Sequence, residues 1–362
     1  MFCIAAFIIF AILGIFSASH RKLARKAWYC VVKKITFKPC DINFSEEVKG
    51  KLLGKLIIRR PKLAKFLSKW FDLMAWIFVI LSIWSLLTVF NSGVNLWVYG
   101  TCNASTGESC SLSGEACGVN RNDITFIEAV KKNKIQDWVL APFRNFAETV
   151  TRIPDRLRTW NAEEYLSSTA TFYTVLDLQK EYAIEILDPG CIYCKKLFEN
   201  IKTANLEQKY NFSYILYPIP DSKSVNGYKF KNSYLIASYI EAVKILPLSN
   251  NKFSLSADWQ IIEKIFIEQD TDNVQWQTKF NMIFGPDEAE MVLKQFLAEM
   301  GYSSEQIDQI VVLAHETQVQ DSLAKQKYLV EEQVKTIRIP TLIFNGRRYD
   351  SVVGEEVLGS KR

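Results

Sequence analysis

Histidine is nearly absent from this chain, with two in 362 residues, and neither an HxxxH pair nor a second CxxC accompanies the single CxxC present. A structural zinc site needs four ligands of these kinds, so the CxxC is at most half of one. His315 stands alone in a helical stretch, where a histidine is more often packed or solvated than catalytic. His20 near Cys30 and Cys40 is a weak ligand set, because ten residues and a membrane-adjacent helix separate the sulfurs. No metal is expected. Internal repeats and low-complexity tracts are absent, and no nucleic-acid recognition motif accompanies the basic stretch, so no nucleic-acid partner is expected.

What the chain has in excess is apolar sequence in two runs. Residues 2–18 are uncharged and apolar, and residues 73–90 form a second run with Trp76 and Phe90 near its ends. At ~1.5 Å per residue, each approaches the ~30 Å of a bilayer's hydrocarbon core. The first run begins without a positively charged segment ahead of it, so a cleaved signal peptide fits poorly. Residues 19–70 hold fifteen Lys or Arg against Asp41, Glu46 and Glu47, a net of +12, while the whole chain is only +5. Basic loops stay on the cytoplasmic side. The expected localisation is therefore a two-pass cell-membrane protein, with its large C-terminal domain outside the cytosol. The inverted arrangement, with a cytosol-facing redox or metal sensor, breaks the charge rule. Within the basic loop, residues 21–34 alternate charge with apolar and aromatic residues, as an interfacial helix on anionic lipid would. Cys30 and Cys40 are expected there as plain thiols.

The CxxC is Cys191-Ile192-Tyr193-Cys194. Residues 182–187 read as a buried strand, Asp188-Pro189-Gly190 breaks it, and Cys194, Leu197, Phe198 and Ile201 recur at helical spacing. Cys191 thus falls at the start of an amphipathic helix, where unpaired N–H groups and the helix dipole favour a thiolate. Cys194, one turn in and on the apolar side, is expected to be the more buried, resolving thiol. Lys195 and Lys196 add positive charge.

Of eight cysteines, Cys102, Cys110, Cys117, Cys191 and Cys194 fall in the external part, where disulfides persist. Removing the CxxC pair leaves three in a polar loop. One of these is free, pairs with another chain, or exchanges with the CxxC; a staple of two, such as Cys102 with Cys110, is the plainer reading. Residues 124–139 and 162–178 read as helices without a catalytic motif. Beyond the CxxC helix come a strand over 212–217 and helices over 234–246, 259–268, 287–300 and 304–334. Strand character returns over 337–344, followed by the turn Asn345-Gly346 and a strand-like run over 347–353.

This order resembles the thioredoxin superfamily and, more narrowly, its DsbA-like thiol-disulfide oxidoreductases. The matching pieces are a strand, a CxxC opening a helix, a second strand, a helical insertion, and Ile339-Pro340-Thr341 opening a hairpin. The resemblance implies an α/β thioredoxin-like fold over 175–362 with a helical insertion at about 221–334. Ahead of it lie an extracytoplasmic cysteine-containing linker and helical region (92–174) and a two-span anchor (1–91). It further implies that Pro340 is a cis-proline facing the dithiol, with Ile339 pairing to an extended client. Glu185 beneath the dithiol would relay protons to Cys194, or else is an exposed strand carboxylate. Cys191, Cys194, Pro340 and Glu185 are then the catalytic set, and Ile339, Thr341, Ile192 and Tyr193 contact substrate. The partners implied are thiol-containing clients and a quinone-linked membrane oxidase of the DsbB or vitamin K epoxide reductase type. Thiol-disulfide exchange requires no cofactor. The dipeptide Ile192-Tyr193 and the short tail after Val353 depart from the family pattern, which leaves oxidase and reductase directions open. The rival reading is a tethered binding or assembly module whose CxxC is only a structural disulfide.

Overall fold

The computed structural model describes residues 18–35, 61–103, 114–119, 126–248 and 255–359. The chain divides into two units, Met1–Phe90 and Asn91–Arg362. In the first, helix α1 (Ala18–Ile35) coincides with the basic, aromatic-studded stretch and leaves Trp28 and Tyr29 exposed. Helix α2 (Pro61–Tyr99) follows and runs on into the second unit. Its segment Ile77–Tyr99 is, among the described residues, the one helix long and apolar enough to cross a membrane. The span expected at 73–90 ends nine residues later, because the helix runs on through Asn91, Ser92 and Gly93 to Tyr99. The other expected span, 2–18, lies outside the described residues but for Ala18. Cys30 is disulfide-bonded rather than a plain thiol, and so is Cys102. Sequence spacing gives no sign of which sulfur a fold brings to another.

After the end of α2, the second unit continues with a two-residue strand, β1 (Cys117–Gly118), and helices α3 (Phe126–Lys131) and α4 (Ile135–Thr151). The helix expected over 162–178 does not form. Only Ala162–Tyr165 makes a single tight turn. Beyond it, Tyr173 N–H donates to the Phe212 carbonyl at 2.9 Å, the Tyr173 hydroxyl donates to Glu263 at 2.6 Å, and Thr171 bonds Asp258. Tertiary partners tie this segment to β3 and the helical insertion and hold it out of a helix, overriding a weak local preference.

Strand β2 (Tyr182–Leu187) leads into helix α5 (Ile192–Thr203) and then β3 (Asn211–Leu216). The helical insertion follows as α6 (Ser233–Ile245), α7 (Ala257–Phe266), α8 (Pro286–Met300), α9 (Ser304–His315) and α10 (Thr317–Tyr328). The single long helix read over 304–334 is thus broken at Glu316, which is extended. The chain returns as β4 (Arg338–Ile339), β5 (Thr341–Phe344), β6 (Arg347–Tyr349) and a one-turn helix α11 (Glu355–Gly359). Asn345 and Gly346 both take positive φ, 48° and 70°, as the tight β5–β6 turn requires.

The sheet order is β3-β2-β5-β6, with β2 parallel to β3 and antiparallel to β5, and β5 antiparallel to β6. This is the strand–helix–strand unit plus hairpin that the thioredoxin-like resemblance implies. The parallel pair needs a crossover, and α5 supplies it. Trp259 of α7 joins the insertion to the sheet, with ring centroids 4.6 Å from Tyr214, 5.2 Å from Tyr173 and 5.4 Å from Phe212. Such aromatic packing carries a large share of core stability.

Candidate exchange site

The loop between β2 and α5 is fixed by side chains aimed at its backbone. Asp188 accepts hydrogen bonds from the N–H groups of Gly190 at 2.8 Å and Ile219 at 2.7 Å, and its own carbonyl accepts from Cys191 N–H at 2.9 Å. Gln277 Nε2 donates to the carbonyls of Pro189 and Cys191 at 2.9 and 3.1 Å, and Asn281 Nδ2 to that of Gly190 at 2.7 Å. At Gly190 a Cβ would come within 2.4 Å of the Phe230 side chain, so the close approach admits only glycine. The result is that Cys191 sits at the N-cap of α5 in extended conformation.

Cys194 lies one turn into α5 on its buried face and is, among the described residues, the free cysteine. The backbone N–H of Asp188 points at its sulfur, 3.4 Å away. Burial pushes the Cys194 thiol well above its ordinary range, and the Glu185 carboxyl adds to this. Glu185 projects from β2 into the interior and is not the exposed carboxylate of the plainer expectation. It is fully buried, neither of its oxygens has a hydrogen-bond partner, and burial raises its pKa well above the carboxylate range. Asp188 is pushed up to about 7, burial outweighing its two backbone donors. A buried carboxyl held neutral can hand a proton to a sulfur or, once ionised, receive one.

Cys191 and Cys194 do not form a disulfide with each other. Cys191 is bonded instead to Cys117, 74 residues earlier, with their Cα atoms 6.7 Å apart. Geometry accounts for this departure from the Cys191–Cys194 disulfide that both readings of the CxxC expect. Strand β1 lies antiparallel to β4, with Cys117 opposite Ile339 and Gly118 opposite Arg338, which sets the Cys117 sulfur over the start of α5. Of the three loop cysteines, Cys117 is therefore the one joined to the CxxC.

The Ile339–Pro340 peptide is cis, the isomer the resemblance implies. Cys191 Sγ is 3.7 Å from the Ile339 carbonyl oxygen, so the two sequence-distant motifs meet. Ile192 is exposed beside the disulfide and Tyr193 is partly buried. Thr341, expected to contact substrate, is turned inward instead. Fully buried, it donates to the Arg338 carbonyl at 2.8 Å and lies 2.9 Å from the Thr336 hydroxyl. A hydroxyl shut into the core needs such partners, and here the bend at Pro340 provides them.

Sequence reasoning missed several residues here. Arg338, buried between two isoleucines, reaches the carbonyls of Gly100 and Gly114 with its two terminal nitrogens. Lys229 Nζ donates to the Gly118 carbonyl at 3.0 Å, and Lys196 pairs with Glu115 at 2.5 Å. The signal for Arg338 was a lone charge inside an apolar strand, which is unusual without a buried acceptor.

No protein-family model matches the chain, and no curated protein matches it. Solved structures do resemble it. The thiol-disulfide exchange protein alpha-DsbA2 from Wolbachia pipientis is 16% identical, with 52% of this chain and 82% of that one covered at a TM-score of 0.35. MdbA, a thiol-disulfide oxidoreductase from Corynebacterium diphtheriae, is 12% identical, covering 54% and 88% at 0.36. A thioredoxin-like oxidoreductase from Silicibacter pomeroyi DSS-3 is 14% identical, covering 49% and 81% at 0.32. At these values the likenesses carry no inference about what this chain acts on.

Proposed function

We propose that this chain is a membrane-anchored protein thiol-disulfide oxidoreductase of DsbA-like type. The observation that carries the reading is the contrast between its two CxxC sulfurs. Cys191, at the N-cap of α5, is engaged in a disulfide with a strand laid beside Ile339, while Cys194 is a free thiol buried one turn behind it. That division of labour is what exchange requires: one sulfur to join a partner, and a second within reach to resolve the joint.

In the oxidative direction, a client thiolate opens the Cys191–Cys194 disulfide at Cys191. Cys194 leaves as thiolate and takes a proton from Glu185. A second client thiol then releases Cys191 and closes the client's disulfide. The reverse sequence reduces a client, with the Glu185 carboxylate accepting the Cys194 proton. Once the face beside Cys191 is open, Pro340 borders it and Ile339 offers backbone pairing to an extended client, with Ile192 and Tyr193 at its rim. The basic stretch over 19–70 supports placing this domain outside the cytosol, and the apolar segment Ile77–Tyr99 supports an anchor. A quinone-linked membrane oxidase would return the dithiol to its disulfide form.

The test is trapping. In full-length protein carrying Cys117→Ser and Cys194→Ala, Cys191 keeps no free neighbouring thiol among the described residues to resolve a joint. Reduced clients presented with an oxidant should accumulate as mixed disulfides on nonreducing gels and disappear on adding Cys191→Ser. Equal adducts with and without Cys191, or none in either, would overturn the reading.

A further inference from the structure

Residues 114–119 are held in the position that a client strand would take. β1 pairs antiparallel with β4, Val119 N–H extends the ladder to the Ile337 carbonyl at 2.9 Å, and Val352 N–H donates to the Glu115 carbonyl at 2.9 Å on the other side. Lys229 holds the Gly118 carbonyl, Arg338 the Gly114 carbonyl, and Lys196 the Glu115 carboxylate. Under this strap Cys191 has no exposed surface, and the edge of β4 is already paired. A client can reach neither Cys191 nor Ile339 while the strap is in place.

We propose that Cys117 is a third redox-active cysteine, borne on a strap that acts as an internal client and caps the exchange centre until Cys194 displaces it. The inference rests on the exchange function proposed above. In the displacement, the Cys194 thiolate attacks Cys191 Sγ. The Cys191–Cys194 bond forms, the Cys117–Cys191 bond breaks, and Cys117 leaves as thiolate, taking up a proton equivalent to the one Cys194 lost. Nothing is oxidised or reduced overall, so no further reactant is needed. The Glu185 carboxyl is near enough to influence the ionisation of Cys194, and the strap, once released, uncovers both the new disulfide and the β4 edge. Burial opposes ionisation of Cys194, which makes its deprotonation the gate.

Two measurements on full-length, detergent-solubilised protein test this. Peptide mapping of the oxidised wild type under nonreducing, thiol-blocked conditions should yield Cys117 linked to Cys191, and Cys117→Ser should yield Cys191 linked to Cys194. In the trapping assay, Cys194→Ala alone should hold at least tenfold less client than Cys117→Ser with Cys194→Ala, because Cys117 resolves the joint in the single variant. Equal trapping by both, or oxidised wild type mapping only as Cys191–Cys194, would overturn the strap while leaving the exchange function intact. Loss of Cys191-dependent adducts in every variant would instead remove the exchange function itself. Lys229→Met loosens the strap without touching a sulfur and should raise blocking of Cys117 in the oxidised protein several-fold. Unchanged blocking would count against the strap.

Discussion

Two β-pairings meet at Pro340, and they are held by different forces. In the four-stranded sheet, every residue of β3 and all but the first of β2 are buried, and Trp259 seals the sheet from the insertion side. The β1–β4 ribbon is two residues long and is held by a disulfide, a few backbone hydrogen bonds and the side chains of Lys229 and Arg338. Apolar burial scales with area and cannot be undone by one chemical step. A disulfide and a handful of hydrogen bonds can. The contrast therefore separates a permanent scaffold from a contact that thiol exchange can open, two residues away.

The largest effect is expected on the scaffold side. Trp259→Ala removes the ring around which Tyr173, Phe212 and Tyr214 pack, and should cost about 3–5 kcal/mol of unfolding free energy in denaturant titration, while the Cys117–Cys191 linkage persists below the transition. A cost under about 1 kcal/mol would erase the distinction between the two pairings.

The next effect is on pH dependence. Glu185 and Asp188 have folded-state pKa values raised above those of the unfolded chain. Their stabilising contribution is full below the unfolded carboxylate pKa and is lost as pH climbs through the folded one, because the unfolded chain then releases protons that the folded state retains. For Asp188 this window runs from about 4 to about 7. Unfolding free energy should therefore fall as pH rises across that range. Glu185→Gln, neutral at every pH, should match wild type near pH 4 and exceed it at pH 8, and it should also flatten the pH profile of client exchange. A variant with the wild-type pH slope in both measurements would show that Glu185 neither ionises nor relays protons in the folded state.

The smallest effect is expected at the ribbon. Lys229→Met removes one partly buried charged donor, and should lower the local opening free energy of the strap by about 1 kcal/mol, read as roughly fivefold faster amide exchange at Val119. Global stability should scarcely move. Faster exchange in β2 as well would mean that the ribbon and sheet open together.

The scaffold was largely legible in the sequence. Strand β2 falls on residues 182–187 as read, since five apolar residues flanking Glu185 before Asp-Pro-Gly leave few alternatives. The helical spacing of Cys194, Leu197, Phe198 and Ile201 returned the buried face of α5, and Asn345-Gly346 returned the hairpin. Local signals of this kind survive because local and tertiary preferences agree there. What was not legible depended on long-range partners. Cys117 could be narrowed to one of three loop cysteines, but pairing across 74 residues leaves no trace in local pattern. Its place beside Pro340 points Thr341 at substrate, whereas a buried hydroxyl turns to whatever acceptor the fold supplies, here the Arg338 carbonyl. The stretch over 162–178 reads as helical by composition and is held out of a helix by Glu263, Asp258 and the edge of β3.

Turnover of a reduced, unfolded client in a glutathione redox buffer, comparing full-length wild type with Cys191→Ser, tests the exchange centre most directly. The account predicts catalysed disulfide formation or reduction that falls at least ~100-fold in the variant, since the sulfur that joins client to enzyme is gone. Equal turnover by the two proteins, or no catalysis by the wild type in either direction, would contradict it.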